Sequence, residues 1–365
     1  MAKQRAFDRG LFTLVVLLVA LGLVMVYSAS AAVARAEGAA DGLLANPYLR
    51  KQALAALIGL GAMLAAMHLD YRWLKRPAVA WALFGGAVVL LVAVLFAPPI
   101  NGTRRWFLLG GLSLQPSELA KLALVPFVAY HLERKEDRVN RPALLLPVGL
   151  GTLLVFGLVL LEPDLGTALL LAVTVFLMLF VAGLSWRYIA AGAAIGLPVL
   201  AVLVWSESYR RARLFAFLDP EADPLGAGYQ VLQSLIAVGT GGVFGLGLGN
   251  SIQKLFYLPY AHSDFIYSIL AEELGLLGAG AVVLLFLALS WRGLRAAFHA
   301  PDAFGRYLGL GLTAMLVVQA LVNISVTIAL LPTKGIPLPF LSYGGTSLVV
   351  SMTACGVLLN LSEHG

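Results

Sequence analysis

Charged residues are scarce in this chain: Asp, Glu, Lys and Arg make up 12% of its 365 residues, against roughly 25% in soluble domains. That is too little to clothe a water-soluble globule, and the composition is equally far from the charge-rich, apolar-poor pattern of disorder. A single cysteine, Cys355, excludes an internal disulfide and with it a stapled secreted fold. No P-loop is present, and the glycines between 239 and 249 do not follow a strand in a βαβ unit. ATP-driven and dinucleotide-dependent redox chemistry therefore have no support. No nucleic-acid partner is expected. What fills the chain instead is apolar, with 60% hydrophobic residues and a mean hydropathy of +0.90. This is the composition of a polytopic membrane protein.

A spanning helix needs roughly 20 mostly apolar residues. Ten such stretches predict an all-α integral membrane protein: 11–29, 52–69, 78–97, 117–132, 143–161, 166–184, 187–206, 264–290, 304–330 and 344–362. Lys3, Arg5 and Arg9 ahead of the first stretch resemble the start of a signal peptide. Its apolar run is too long for that, and Tyr27-Ser-Ala-Ser-Ala-Ala is a poor cleavage site, so it reads as a helix. Residues 1–365 form one polytopic domain in this reading, with a long outer loop at 207–263 between the seventh and eighth spans. Within that loop, 229–238 predicts a helix lying at the interface, with Gln230 and Gln233 on one face.

Basic residues set the orientation. With a cytoplasmic N-terminus, the inside segments hold 14 Lys and Arg and the outside segments 10, or 6 once the long loop is set aside. Both termini are expected on the cytoplasmic side of the membrane. The motif-like polar segments then gather on the outer side. Asn101-Gly-Thr-Arg-Arg-Trp and Gln115-Pro-Ser-Glu precede or open the fourth span, and Glu162-Pro-Asp-Leu-Gly-Thr opens the sixth. Pro259-Tyr-Ala-His-Ser-Asp opens the eighth; Pro332-Thr-Lys-Gly and Ser342-Tyr-Gly-Gly-Thr open the tenth. Helix N-termini attract anions such as phosphate, and Arg104, Arg105, Arg210, Arg211, Arg213 and Lys334 add full charges beside them. These features point to an anion site at the outer leaflet. The competing reading is turn chemistry at loop ends with solvated or lipid-bound arginines.

Three sets of ionisable residues remain. Glu118 and Lys121 share a helix face, either as a brace between helices or in contact with substrate. Asp264 has no basic residue within nine positions and only His262 as a near titratable neighbour. It is either an N-cap, or a carboxylate at a polar cavity acting as a base or binding a divalent cation. Glu272 and Glu273 lie deeper, and both cannot share a cavity with Asp264, so at least one serves helix packing. The spans 78–97 and 187–206, apolar all round, offer surfaces for partners.

These motifs, taken together with Gly228-Tyr-Gln-x-x-Gln-Ser, Leu258-Pro-x-Ala-His-x-Asp-Phe-Ile, Glu272-Glu-Leu-Gly and Pro339-Phe-x-Ser-Tyr-Gly-Gly, resemble the SEDS family of bacterial cell-wall synthesis, in order and across nearly the whole chain. The resemblance implies a peptidoglycan glycosyltransferase that polymerises lipid II at the outer membrane face, beside a class B penicillin-binding protein as transpeptidase. It places the family's essential aspartate at Asp264, as general base or as the carboxylate of a Mg or Mn ion. Arg104, Arg105, Glu118, Lys121, Arg210, Arg213, His262, Lys334 and Ser342 are the candidate substrate-binding residues. A lipid II flippase and a non-catalytic scaffold are the alternatives. Tyr260 and Ser263 depart from the usual Glu and Thr. Phe217-Leu-Asp-Pro, Gly249-Asn-Ser-Ile-Gln-Lys and Leu331-Pro-Thr-Lys-Gly lean to the division branch, whereas Glu162-Pro-Asp and Gly335-Ile-Pro-Leu-Pro-Phe lean to the elongation branch.

Overall fold

The structure is a computed structural model that describes residues 7–40, 42–100, 102–109, 112–134 and 139–365. Asn101 of the first motif, Lys3 and Arg5 of the basic tail and 135–138 of the basic loop lie outside the described residues. Ten long helices coincide with the ten expected spans: α1 (Arg9–Ala36), α2 (Pro47–His68), α3 (Pro77–Val94), α4 (Pro116–Glu133), α5 (Pro142–Leu161), α6 (Leu165–Val181), α7 (Trp186–Trp205), α10 (Ile266–Phe298), α11 (Ala303–Thr327) and α12 (Gly345–His364). Two shorter helices, α8 (Ser208–Leu218) and α9 (Tyr229–Thr240), fall within the long loop, the second where an interfacial helix is expected. A hairpin of β1 (Phe107–Leu109) and β2 (Leu112–Leu114) precedes α4.

Local chemistry sets the helix starts. Proline opens α2, α3, α4 and α5, where its missing N–H costs nothing. Asp8, Asn46, Asp164 and Asp302 cap α1, α2, α6 and α11 through their side chains. Eight of the ten long helices are long and apolar enough to cross a membrane unaided. The others are α6, with 17 residues, and α4, which carries Glu118, Lys121 and Glu133. Helix α4 nonetheless buries its N-terminal half, because its two innermost charges pair with each other inside the bundle.

Helices α4, α11 and α12 form the centre. Against α2, helix α12 comes so close that a Cβ on Gly356 would stand 2.3 Å from the Met63 carbonyl oxygen. Small residues at such crossings permit tight packing where lipid offers no hydrophobic drive. The span 78–97 is less free than its composition suggests, since Ala80, Phe84, Ala87, Leu91 and Val94 are buried. By contrast, α7 has no buried residue at all.

Cross-links define two faces. On one, Arg292 pairs with Asp8, the Tyr71 hydroxyl donates to Asp302, and the Asn140 side chain binds Gly183 and Ser185. On the other lie the start of α2, the hairpin, the 162–164 turn, α8, and segments 241–265 and 332–344. The described parts of the motif segments expected on the outer side share this second face.

Helix α10 is broken inside a continuous apolar run. At Gly275 the backbone takes φ 66°, and 242–247 bonds to the gap. Leu246 and Gly247 donate to the carbonyls of Glu272 and Glu273, while Leu276 and Leu277 donate to those of Gly242 and Val243. Glycine is required on both sides, since a Cβ on Gly275 would meet the Gly245 nitrogen at 2.4 Å. The freed backbone groups are thus satisfied by protein, as the membrane interior demands.

Candidate active site

Asp264 stands immediately before α10 but does not cap it; the N-cap is Phe265, without a side-chain bond. Its half-buried carboxylate accepts no hydrogen bond from any described residue. The segment delivering it is strained, because Phe256 and Tyr260 sit at φ 69° and 56°, a region that costs bulky residues roughly 1–3 kcal/mol each. Hydrogen bonds hold that shape: Leu258 to the Gln253 carbonyl, Ser263 to the Tyr260 carbonyl. Ser342 Oγ donates to the Ser263 carbonyl at 2.6 Å and accepts from the Leu338 N–H at 2.8 Å. Both its functions are thereby used in fixing the loop.

Opposite Asp264 lies the 332–336 segment. A Cβ on Gly335 would stand 3.2 Å from Asp264 Oδ2, so the segment runs in close contact with the carboxylate. Asn323 on α11 joins the two elements, its Nδ2 donating to the carbonyls of Asp264 and Ile336. Arg213 on α8 reaches the Thr333 carbonyl at 3.5 Å and lies over the Tyr209 ring. Lys334 beside it makes no hydrogen bond or ion pair among the described residues.

The third element is the 162–164 turn. Arg105 grips it from the preceding loop, donating Nε to the Glu162 carbonyl and Nη2 to the Pro163 carbonyl, each at 2.6 Å. Asp164 caps α6 through Thr167. Glu162 is wholly buried, and neither carboxylate oxygen has a hydrogen-bond partner among the described residues. Burial, reinforced by Asp164 and opposed by Arg105, pushes its carboxyl up to about 8, so it is neutral at pH 7.

These charges act on one another. Burial pushes the Asp264 carboxyl up to about 6, with Arg213 and Arg105 pulling it down and Asp164 pushing it up. Lys334 is lowered to about 8, chiefly by burial and then by Arg213, with Arg210 adding to the fall and Asp164 resisting it. One cluster therefore contains Asp264, Asp164, Arg105, Arg213 and Lys334, a constellation of perturbed groups typical of functional sites. His262 lies to one side among the rings of Tyr48 and Tyr343, at 4.9 and 5.6 Å, and burial lowers it toward the neutral form.

Other candidates fall elsewhere. Arg104 donates to the Leu95 carbonyl at the end of α3, Arg210 to the Leu203 carbonyl near the end of α7, and Arg211 to the Trp205 carbonyl. Part of the outer positive charge thus answers the unpaired carbonyls of helix C-termini, which carry negative partial charge. Glu118 and Lys121 are both 2% exposed and paired at 2.8 Å, and Lys121 Nζ also donates to Gln319 Oε1. Gln319 in turn donates to the Pro337 carbonyl, so the pair ties α4 to α11 and to the segment behind Gly335. Glu272 accepts from Ser251 Oγ and the Ile252 N–H, and Glu273 from Ser28 Oγ and Lys254 Nζ. Both deep glutamates serve packing.

Asp164, Glu162 and Asn323 were not singled out from sequence as site residues. Gln319 and Asn323, four apart in an apolar span, carried a usable signal, since polar side chains there face the bundle interior. For a divalent cation, no three His, Cys, Asp or Glu side chains converge among the described residues. Asp264 and Asp164 fit a Mg-like ion only as one or two carboxylates, with phosphate and water oxygens completing the shell.

Residues 8–365 match the family model described as cell cycle protein, which covers FtsW, RodA and SpoVE. The probable peptidoglycan glycosyltransferase FtsW of Geobacter sp. (strain M18) is 45% identical over 374 residues, spanning 100% of this chain and 99% of that protein. Stage V sporulation protein E of Bacillus subtilis (strain 168) is 41% identical over 99% of this chain and 98% of its own. The crystal structure of Thermus thermophilus RodA superposes with a TM-score of 0.71 at 35% identity, covering 98% of both chains. A chain from a peptidoglycan synthase complex, studied for the coordination of polymerisation and crosslinking, superposes at 0.79 with 35% identity over 98% of both chains. The chain belongs to the FtsW/RodA/SpoVE family, the SEDS proteins.

Proposed function

We propose that the chain polymerises lipid II into glycan strands at the outer membrane face, with Asp264 at the reacting centre. Its relatives' names support the activity class: it is a peptidoglycan glycosyltransferase. The observation that carries the rest is the carboxylate of Asp264, without a hydrogen-bond partner among the described residues, in the field of Arg105 and Arg213 and against the segment that carries Lys334.

Lipid II is a sugar on a membrane-anchored diphosphate. Arg213 and Lys334 hold the diphosphate of the donor, and their charge meets the negative charge that grows there as the bond from C1 to phosphate oxygen breaks. Asp264 takes the proton from the acceptor hydroxyl as its oxygen bonds to C1. The departing diphosphate keeps the electron pair, and a single displacement inverts the anomeric centre. A divalent cation bound by Asp264, with Asp164 and phosphate oxygens, would supply Lewis-acid assistance to the leaving group. Ser342, Asn323 and the Glu118–Lys121 pair act by fixing the loops around Asp264.

The greater Lys and Arg content of the opposite face supports cytoplasmic termini and a site open to the exterior. A class B penicillin-binding protein is the partner, and α7, which has no buried residue, is available to it within the membrane. The deep charges argue against lipid II flipping: Glu118, Lys121, Lys254 and Glu273 are committed to one another in buried pairs rather than lining an open path. Purified protein with lipid II, its partner's transpeptidase blocked, should make glycan polymer. Flipping in vesicles without polymer would overturn the assignment.

A further inference from the structure

A second concavity on the same face lies apart from the cluster around Arg213. It is a groove of about 380 Å³ between α2, α4, α12 and the hairpin, with walls of Ile58, Leu119 and Val350 and a rim of Lys51, Tyr343 and Thr346. The walls are apolar, and Ile58 is 45% exposed, so the groove opens sideways to lipid. Lys51 on its rim and Arg50, the residue before it, are exposed and make no ion pair or hydrogen bond among the described residues. Beside them Gln52 is fixed to the Ser342 carbonyl and the Gly344 N–H. An unpaired cation on the rim of a hydrocarbon trough, with a second next to it in the chain, matches an anionic headgroup on a long chain.

The groove also leads to the reacting centre. Tyr343, on its rim, donates its N–H to the His262 carbonyl at 3.0 Å, two residues from Asp264. None of Asp164, Arg105, Arg213 or Lys334 lines it. Polymerisation joins two lipid-linked molecules, of which only the donor releases its diphosphate. The cationic cluster at Asp264 suits that departing charge. The acceptor keeps its diphosphate and prenyl chain, and needs a seat of its own.

We propose that this groove seats the prenyl chain of the acceptor lipid II, with Arg50 and Lys51 at its diphosphate. The inference rests on the polymerase reading above. It is tested by counting lipid II molecules bound to Asp264→Asn protein in nanodiscs by native mass spectrometry, the substitution preventing turnover. Two variants are added to that background: Ile58→Trp, which fills the groove from a lipid-exposed position, and Lys51→Glu at the surface. The parent should bind two lipid II molecules, and each variant should bind one at unchanged affinity and the second at least tenfold more weakly. Phosphatidylglycerol at equal concentration should not displace the second molecule. Two tight molecules in both variants, or only one in the parent, would overturn the groove assignment, and displacement by phosphatidylglycerol would reduce it to a seat for bulk lipid. No lipid II on the parent at all would instead contradict the polymerase reading.

Discussion

Asn323 Nδ2 donates to the Asp264 carbonyl and to the Ile336 carbonyl, both at 2.8 Å, and so holds the carboxylate and the segment facing it in one register. Replacing Asn323 by Leu leaves two carbonyls unpaired in a buried setting, at about 1–3 kcal/mol each. The expected outcome is a fall in kcat of about tenfold or more. KM for lipid II should change little, because Asn323 does not reach the cationic side chains. Steady-state polymerisation at varied lipid II measures the split.

The acid limb of the rate belongs to Asp264. Burial lifts its carboxyl to about 6, and Arg213 is the strongest opposing influence. Below that pH the group is protonated and cannot accept the acceptor's proton. Removing the Arg213 charge raises the carboxyl further, so Arg213→Ala should shift the acid limb to higher pH as well as raising KM. A pH profile of kcat for the two proteins checks the direction.

Glu162 gives the opposite kind of pH dependence. Folding lifts its carboxyl to about 8, so the folded chain keeps a proton that the unfolded chain releases above about 4.5. The resulting penalty on stability is absent in acid, grows as pH rises from there, and is complete above about 8. Glu162→Gln removes it, and should melt a few degrees higher than wild type at pH 7.5 with no difference near pH 4. Thermal unfolding in detergent at the two pH values is the measurement.

The Lys254–Glu273 pair, at 2.7 Å with Ser28 between the chains of α1 and α10, anchors the 241–265 segment. Lys254→Met strands a buried carboxylate, at a cost of about 3–5 kcal/mol. Lys254→Met with Glu273→Gln should recover most of that stability. A double-mutant cycle on melting temperature reads the coupling.

Much of this architecture is readable in the sequence because each element signals locally. Apolar runs mark all ten long helices, Pro47, Pro77, Pro116 and Pro142 mark starts, and the Glu118–Lys121 spacing marks a shared face. What is not readable depends on partners far along the chain. The break at Gly275 lies inside an apolar run that looks like one helix, and is stabilised by backbone bonds to 242–247. The outer arginines reveal their charge in sequence but not their acceptors, the C-terminal carbonyls of α3, α5 and α7. Asp264 reads equally as a cap or a reacting group until the structure shows that it caps nothing.

The most direct test of the central claim compares wild type with Asp264→Asn, a change that removes the charge and keeps the shape. Both proteins are assayed for glycan polymer from lipid II and for lipid II binding, with the cognate partner present and its transpeptidase blocked. The account predicts undiminished binding and loss of polymer in the variant. Normal polymer from Asp264→Asn would contradict it.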